Sequence, residues 1–531
     1  MDAQAISARS RLRRPVLLCA LCIFLTWRRL GSLSFTCEPA RLPSVSRPQQ
    51  RALAGWSDLR QGGQAGSWRS RVTAVDEDSG GADVKTLEGK KEASSKTEML
   101  RFALPALGIY LANPIMSNID NSFVGHFGGT TALAALSPGG VLADNLFFLF
   151  SSVLSAATTG LVARAWPRGA ADAREELTRT FSFAIAVGVP LSLFYWFCST
   201  WVLGLMGVPS NLQDMAASYA RIRGLVSWAS LGQSVCLSAI LATRDAVTPL
   251  RVVVAAALLN VIGDFLLCCW PLRTGVSGAA AATAISTLCG FALMMRSLQR
   301  KKILPSFRRK ALSDAGPVLE YAGPMLVINM TRIVGYTAMA FAAAATGTRA
   351  LAAYQVILGI FVLFAFVGAP LSQTAQSMLP PLIESNDTTG ARKVAKNALT
   401  IGTVVSIVAS CLCYAALRLG AGTFTSDVAV LGEIHGAAFM VCLATGTLLI
   451  SSSVDGALLA AKDFGFIVTQ QVSVVMLQLL LLRTALRMQL GLPAIWMTLA
   501  VRVLLFVPIA LTWLGTGRGP LGRVMFPKKG A

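Results

Sequence analysis

Apolar runs long enough to cross a bilayer begin near Phe102 and recur as far as Leu514, and this feature constrains the fold more than any other. A hydrocarbon core of about 30 Å takes about 20 helical residues, and lipid offers no partner to an open backbone N–H or C=O. Twelve spans are read at 102–124, 139–165, 178–206, 219–241, 248–270, 275–298, 318–345, 350–378, 394–417, 434–459, 463–487 and 491–514. Pro105, Pro114, Pro190 and Pro324 fall inside spans, which a helical bundle tolerates because neighbouring helices re-satisfy the freed backbone groups. The expected fold class is all-α and polytopic. Composition agrees, since 54% of the 531 residues are apolar and 14% are charged.

A net charge of +21 would suggest nucleic acid if the basic residues formed one patch, but they are dispersed. They cluster in alternate links: Arg164, Arg168, Arg174 and Arg179 after span two, Arg244 and Arg251 after span four, and Arg392, Lys393 and Lys396 after span eight. The link after span six is the most basic, from Arg296 to Lys310, and the tail adds Arg518, Arg523, Lys528 and Lys529. The intervening links are nearly bare, apart from Arg483 and Arg487. That alternation places both ends of the membrane domain on the cytosolic face or its organellar equivalent, and it excludes a nucleic-acid partner.

Residues 1–75 contain many Arg, no Lys, and only Asp2, Glu38 and Asp58 as acids, which is the composition of a targeting extension. Arg11, Arg13 and Arg14 precede the apolar run from Pro15 to Trp27, too short to span but suited to a signal sequence. Ser32 and Ser34 provide a small-x-small cleavage site, and a Ser/Arg/Pro-rich segment follows. Signal followed by transit composition predicts a plastid envelope address, with plasma membrane or endomembrane as the alternative. Residues 76–98 read as a linker. Among the cysteines no metal-ligand spacing occurs: Cys19 and Cys22 lie in the targeting stretch without partners, Cys37 follows in the same extension, and the others are scattered through spans.

The two halves repeat. Ala132-Leu133-Ala134-Ala135 recurs as Ala350-Leu351-Ala352-Ala353, displaced by 218 residues, and at the same displacement Ile240 to Asp245 aligns with Leu458 to Asp463. Six spans are even in number, so the copies have the same orientation, as in transporters that rock two lobes about a midplane site. The expected domains are an N-lobe at 99–298, a basic interlobe loop at 299–317, a C-lobe at 318–515 and a basic tail at 516–531.

The stretch from Pro114 to His126, P-I-M-S-N-I-D-N-S-F-V-G-H, resembles the first-span signature of the multidrug and toxic compound extrusion (MATE) family, with Asn121 in place of the usual Thr. Arg221 to Gly224, Arg244 to Leu250, Asn260 to Asp264, Ala352 to Val356 and Asp455 to Ala460 also resemble family motifs in order, although Tyr354 replaces a His. The pattern is most similar to the DNA-damage-inducible F class and its plastid relatives, as is a Gly-rich loop at Leu136 to Gly140. The resemblance implies a secondary active antiporter that exports small organic molecules: drug-like compounds, organic cations, or organic and phenolic acids. It implies a proton or sodium coupling ion, no cofactor and no metal, a monomer among membrane lipids, and no enzymatic step.

A carboxylate at bilayer depth costs several kcal/mol unless it is protonated, paired or wetted. Asp120 and Asp264 are the deepest, and Asn260 stacks one turn from Asp264 on the same helical face, a cradle for a proton or a dehydrated cation. The family resemblance implies that Asp120, Asn260, Asp264 and Thr283 form the coupling-ion site. At the displaced positions stand Ala338 and Leu482, so coupling is expected to be asymmetric. Asp144, Gln355 and Asp455 are further candidate cavity residues, with Asp144 able to reach the interface and Asp455 near the basic side as a helix-end or interlobe partner. His126 and His435 lie at span ends. A membrane transferase is disfavoured because no paired-acid metal motif is present. A lipid flippase of the same superfamily remains the alternative; it would line its cavity with Arg, whereas most Arg here are in links.

Overall fold

A computed structural model describes residues 96–124, 129–206, 208–269, 274–423 and 427–525. The signal, transit and most of the linker expectations, together with His126, lie outside these residues. The regular structure among them is helical. In the first half α1 is Lys96–Phe123, α2 Gly129–Ala165, α3 Ala170–Leu205, α4 Ser210–Leu225, α5 Ser227–Ala242, α6 Val247–Asp264 and α7 Val276–Arg300. A short α8, Arg309–Ser313, precedes the second half. There α9 is Gly316–Thr346, α10 Thr348–Ala365, α11 Gly368–Glu384, α12 Thr388–Ala415, α13 Val428–Ala460, α14 Phe464–Arg487 and α15 Gly491–Gly515, before a terminal α16, Gly519–Met525.

Among the described residues eleven stretches are individually long and apolar enough to cross a membrane, and the pair α4 and α5, bent by 50°, makes a twelfth. All twelve sequence-derived spans therefore have a helical counterpart. Two are interrupted: span four at Val226, between α4 and α5, and span eight at Phe366–Val367, between α10 and α11. Leu136 to Gly140, expected as a loop, is instead part of α2, with Pro138 inside the helix. Gly139 explains why small residues stand there, because a Cβ would lie 2.8 Å from the Ala216 carbonyl of α4. The glycine serves helix contact and not a turn.

The duplication persists in three dimensions. In the first half α1 packs on α6, α6 on α7, α3 on α5 and α2 on α5; the displaced pairs α9 on α14, α14 on α15, α12 on α13 and α11 on α13 also pack. Both copies turn from the fourth to the fifth span of the repeat through a left-handed residue, Arg244 at φ 62° and its counterpart Lys462 at φ 59°. The next residue fastens each turn differently. Asp245 accepts from the Thr248 amide at 3.0 Å and pairs with Lys301 at 3.0 Å, while Asp463 accepts from the Trp513 indole at 2.8 Å. Burial alone would raise the Asp245 carboxyl, but Thr248 and Lys301 outweigh it and hold it below the ordinary carboxylate range.

The lobes meet on the side of the basic links. One apolar cluster joins Met99, Phe102 and Ile109 of α1 to Leu371, Met378 and Leu379 of α11, and a second joins Ala157 and Leu161 of α2 to Val318, Tyr321 and Phe464 of the C-lobe. Beneath them Arg164 donates to the Tyr321 hydroxyl and to the Ala460 carbonyl and lies 3.4 Å from Glu384; Arg168 lies 3.6 Å from the same carboxylate. The remaining large clusters each stay within one lobe. The lobes are thus clasped at the basic face, with a cavity above the clasp.

Candidate functional site

The cavity has a volume of about 980 Å³ and is walled by both lobes. Its floor is a set of side-chain bonds between them. Gln373 of α11 donates to Thr159 of α2 at 3.1 Å and accepts from Tyr110 of α1 at 3.3 Å, while Asn329 of α9 donates to Ser152 of α2 at 2.7 Å. Such buried amides would be costly without partners, and each finds its partner across the lobe boundary.

On the N-lobe wall three helices bring the sequence-derived residues together. Asp120 comes from α1, Asn260 and Asp264 from α6, and Thr283 from α7. The Asn260 amide donates to Asp264 Oδ2 at 3.0 Å and to Asp120 Oδ1 at 3.5 Å, so one NH2 group spans both carboxyls. Thr283 donates to Asp120 Oδ2 at 3.5 Å and also to its own-helix carbonyl of Ala279 at 2.9 Å. Asp120, Asn260 and Thr283 line the cavity, whereas Asp264 is fully buried one layer behind. Asp264 Oδ1 accepts no hydrogen bond among the described residues. The α-helical part of α6 ends at this carboxylate and passes into a π-turn at Phe265–Cys269, a widening that often accompanies functional positions. Two carboxyls, an amide and a hydroxyl in a largely buried cluster supply oxygen ligands for a small cation, or a seat for a shared proton.

The additional candidates separate. Asp144 is exposed within the cavity and pairs with Arg223 of α4 at 2.8 Å, where the guanidinium also lies 5.6 Å from the Tyr219 ring centre. Asp455 of α13 faces the cavity and pairs with Arg332 of α9 at 2.6 Å, so its partner belongs to its own lobe and not to the opposite one. Gln355 is exposed and does not line the cavity, because α10 turns Tyr354 inward against Trp496 instead, with ring centres 5.7 Å apart. Tyr110, Phe147, Tyr336 and Phe361 are among the aromatic residues that line the cavity. Trp496 is buried in the C-lobe core, and Trp196 is half-exposed on the outer surface.

Sequence reasoning missed Arg332 and Arg502. Both sit within apolar runs and reach the cavity, and Arg502 of α15 donates to Gln478 Oε1 of α14 at 3.0 Å. The signal was available, since an Arg at bilayer depth is as costly as an Asp. The three cavity arginines are not a basic lining, because Arg223 and Arg332 each face a carboxylate and Asp120 adds a third acid.

The MatE family model matches residues 105–266. The chain is 29% identical over 408 residues to Protein DETOXIFICATION 47, chloroplastic, of Arabidopsis thaliana, covering 76% of this chain and 75% of that protein. It is 28% identical over 214 residues to DNA damage-inducible protein F of Escherichia coli (strain K12), covering 40% of this chain and 45% of that one. Among solved structures, the outward-facing conformation of a multidrug resistance MATE family transporter of the MOP superfamily aligns with a TM-score of 0.71. That alignment covers 80% of this chain and 96% of the other at 15% identity, a likeness of fold.

Proposed function

We propose that the chain, which is similar to transporters of the multidrug and toxic compound extrusion family, exports small organic molecules by antiport against protons or sodium. The observation that carries this reading is the convergence of Asp120, Asn260, Asp264 and Thr283 on one wall of the interlobe cavity. A cation or proton held there neutralises buried carboxyls, and losing it restores their charge. Its occupancy therefore biases the equilibrium between the two lobe orientations, which is what coupling requires. The clasp of Arg164 on Tyr321, Glu384 and Ala460 closes the basic side in this arrangement, so the cavity accepts or releases its cargo on the opposite face. The mixed cavity charge supports a soluble organic cargo over a lipid-linked one. Transport of this kind needs no cofactor and no partner chain.

The basic, acid-poor residues 1–75 and the chloroplastic relatives support a plastid envelope address. Reconstitution into proteoliposomes, with uptake of a panel of organic cations and organic acids under an imposed proton or sodium gradient, tests the proposal. Uptake driven by one gradient and abolished by Asp264→Asn is expected. Uptake indifferent to both gradients would refute antiport.

A further inference from the structure

The N-lobe site has a displaced counterpart of opposite charge. Shifting by 218 residues carries Asn260 onto Gln478, Asp264 onto Leu482 and Asp120 onto Ala338. Both lobes therefore keep an amide at the same place in the repeat, but its neighbours differ. Asn260 turns its NH2 toward two carboxyls, whereas Gln478 turns its carbonyl oxygen toward the Arg502 guanidinium at 3.0 Å. The amide dipole is reversed to suit a cation.

Arg502 is 5% exposed, lines the cavity, and has no carboxylate within salt-bridge distance among the described residues. The neighbouring Asp455 pairs with Arg332 through Oδ2 at 2.6 Å, and its buried Oδ1 accepts no hydrogen bond among the described residues. Gln478 Nε2 is a further buried donor without a partner. This wall thus holds two guanidinium groups to one carboxylate, an arrangement that is costly for so buried an arginine as Arg502 until an anion enters. The packing is made for it: a Cβ on Gly335 would lie 2.4 Å from Arg502 Nη1 and 2.7 Å from Gln478 Oε1, so the pair fits only against glycine.

We propose that the C-lobe wall of the cavity is an anion site, in which Arg502, oriented by Gln478 over Gly335, binds a carboxylate or a halide. This deepens the transport reading by giving the two lobes separate ligands, a cation on the N-lobe acids and an anion on Arg502. The anion is either the carboxylate of the cargo or an inorganic ion carried with it.

Equilibrium binding to the full chain in nanodiscs, without any gradient, tests the site independently of coupling. The probes are benzoate, chloride and the cation tetraphenylphosphonium. Benzoate binding, chloride binding or both are expected; benzoate alone assigns the anion to the cargo, and chloride alone to an inorganic ion. Arg502→Gln should weaken that binding about ten- to a hundred-fold, the scale of one lost charge-assisted bond, and Arg502→Lys should keep most of it. Gly335→Ala retains the arginine but displaces it and should weaken binding as well, which guards against misfolding of the first variant. Asp264→Asn should leave anion binding intact, so loss of coupling there and loss of binding here are separate results. Anion affinity equal in wild type, Arg502→Gln and Gly335→Ala, or binding of tetraphenylphosphonium alone, would overturn the proposal.

Discussion

The two lobes share a helix order, a packing pattern and a left-handed turn residue, yet they present the cavity with opposite chemistry. The N-lobe offers Asp120, with Asp264 one layer behind it under a shared amide; the C-lobe offers Arg502 beside the displaced counterpart of that amide. Where the N-lobe has acids, the C-lobe has Ala338, packed at its core edge, and buried Leu482. Duplication conserves what the backbone needs, namely close helix contacts and turn geometry. Side chains facing the cavity bear no such burden, so their charge can diverge without disturbing the helix contacts of the bundle.

Removing the acid from the N-lobe should have the largest effect. Asp264→Asn and Asp120→Asn each keep volume and a carbonyl but cannot exchange a proton or neutralise a cation, so gradient-driven export in proteoliposomes should fall to the level of empty vesicles. Membrane insertion and cargo binding should persist. Wild-type transport by Asp264→Asn would erase the functional difference between the lobes.

The clasp at the basic face is one-sided in the same sense, because the displaced counterpart of Arg164 is Leu382, buried in the interlobe cluster. Arg164→Ala removes the contacts to Tyr321, Ala460 and Glu384, each hydrogen bond to a charged group being worth about 1.5–3 kcal/mol. Spin labels on the basic-side ends of α2 and α11 should report a population shift toward the separated state of about ten-fold or more. An unchanged distance distribution would assign closure to the apolar clusters alone.

Asn260→Ala should act less strongly, since it deletes one neutral bridge and leaves both carboxyls. Transport is expected to slow several-fold while its gradient dependence is kept, and a complete loss would give the amide an obligatory role in ion binding. The smallest effect is expected from Ala338→Ser at the position displaced from Asp120. Transport and thermal stability within error of wild type would sharpen the contrast between the lobes, whereas a marked change in ion selectivity would blur it.

Much of this was legible in the chain. Span number and duplication follow from apolar run length and the 218-residue displacement, Asp120 and Asp264 stand out by the rarity of acids in lipid-length segments, Asn260 lies one turn from Asp264, and the grouping of the four with Thr283 is what the family resemblance implies. Those signals are local or periodic, and the bilayer makes them strong because it admits so few backbone solutions. Gln355 and the loop at Leu136 to Gly140 misled because local type does not say which way a helix face turns, nor whether a glycine marks a turn or a close contact. The pairing of Asp455 with Arg332, the seat of Arg502 over Gly335, and the amide bridge between helices α1 and α6 join residues more than twenty positions apart. Only the packing of helices against one another decided them, since distance in space between remote side chains depends on crossing geometry that no single segment encodes.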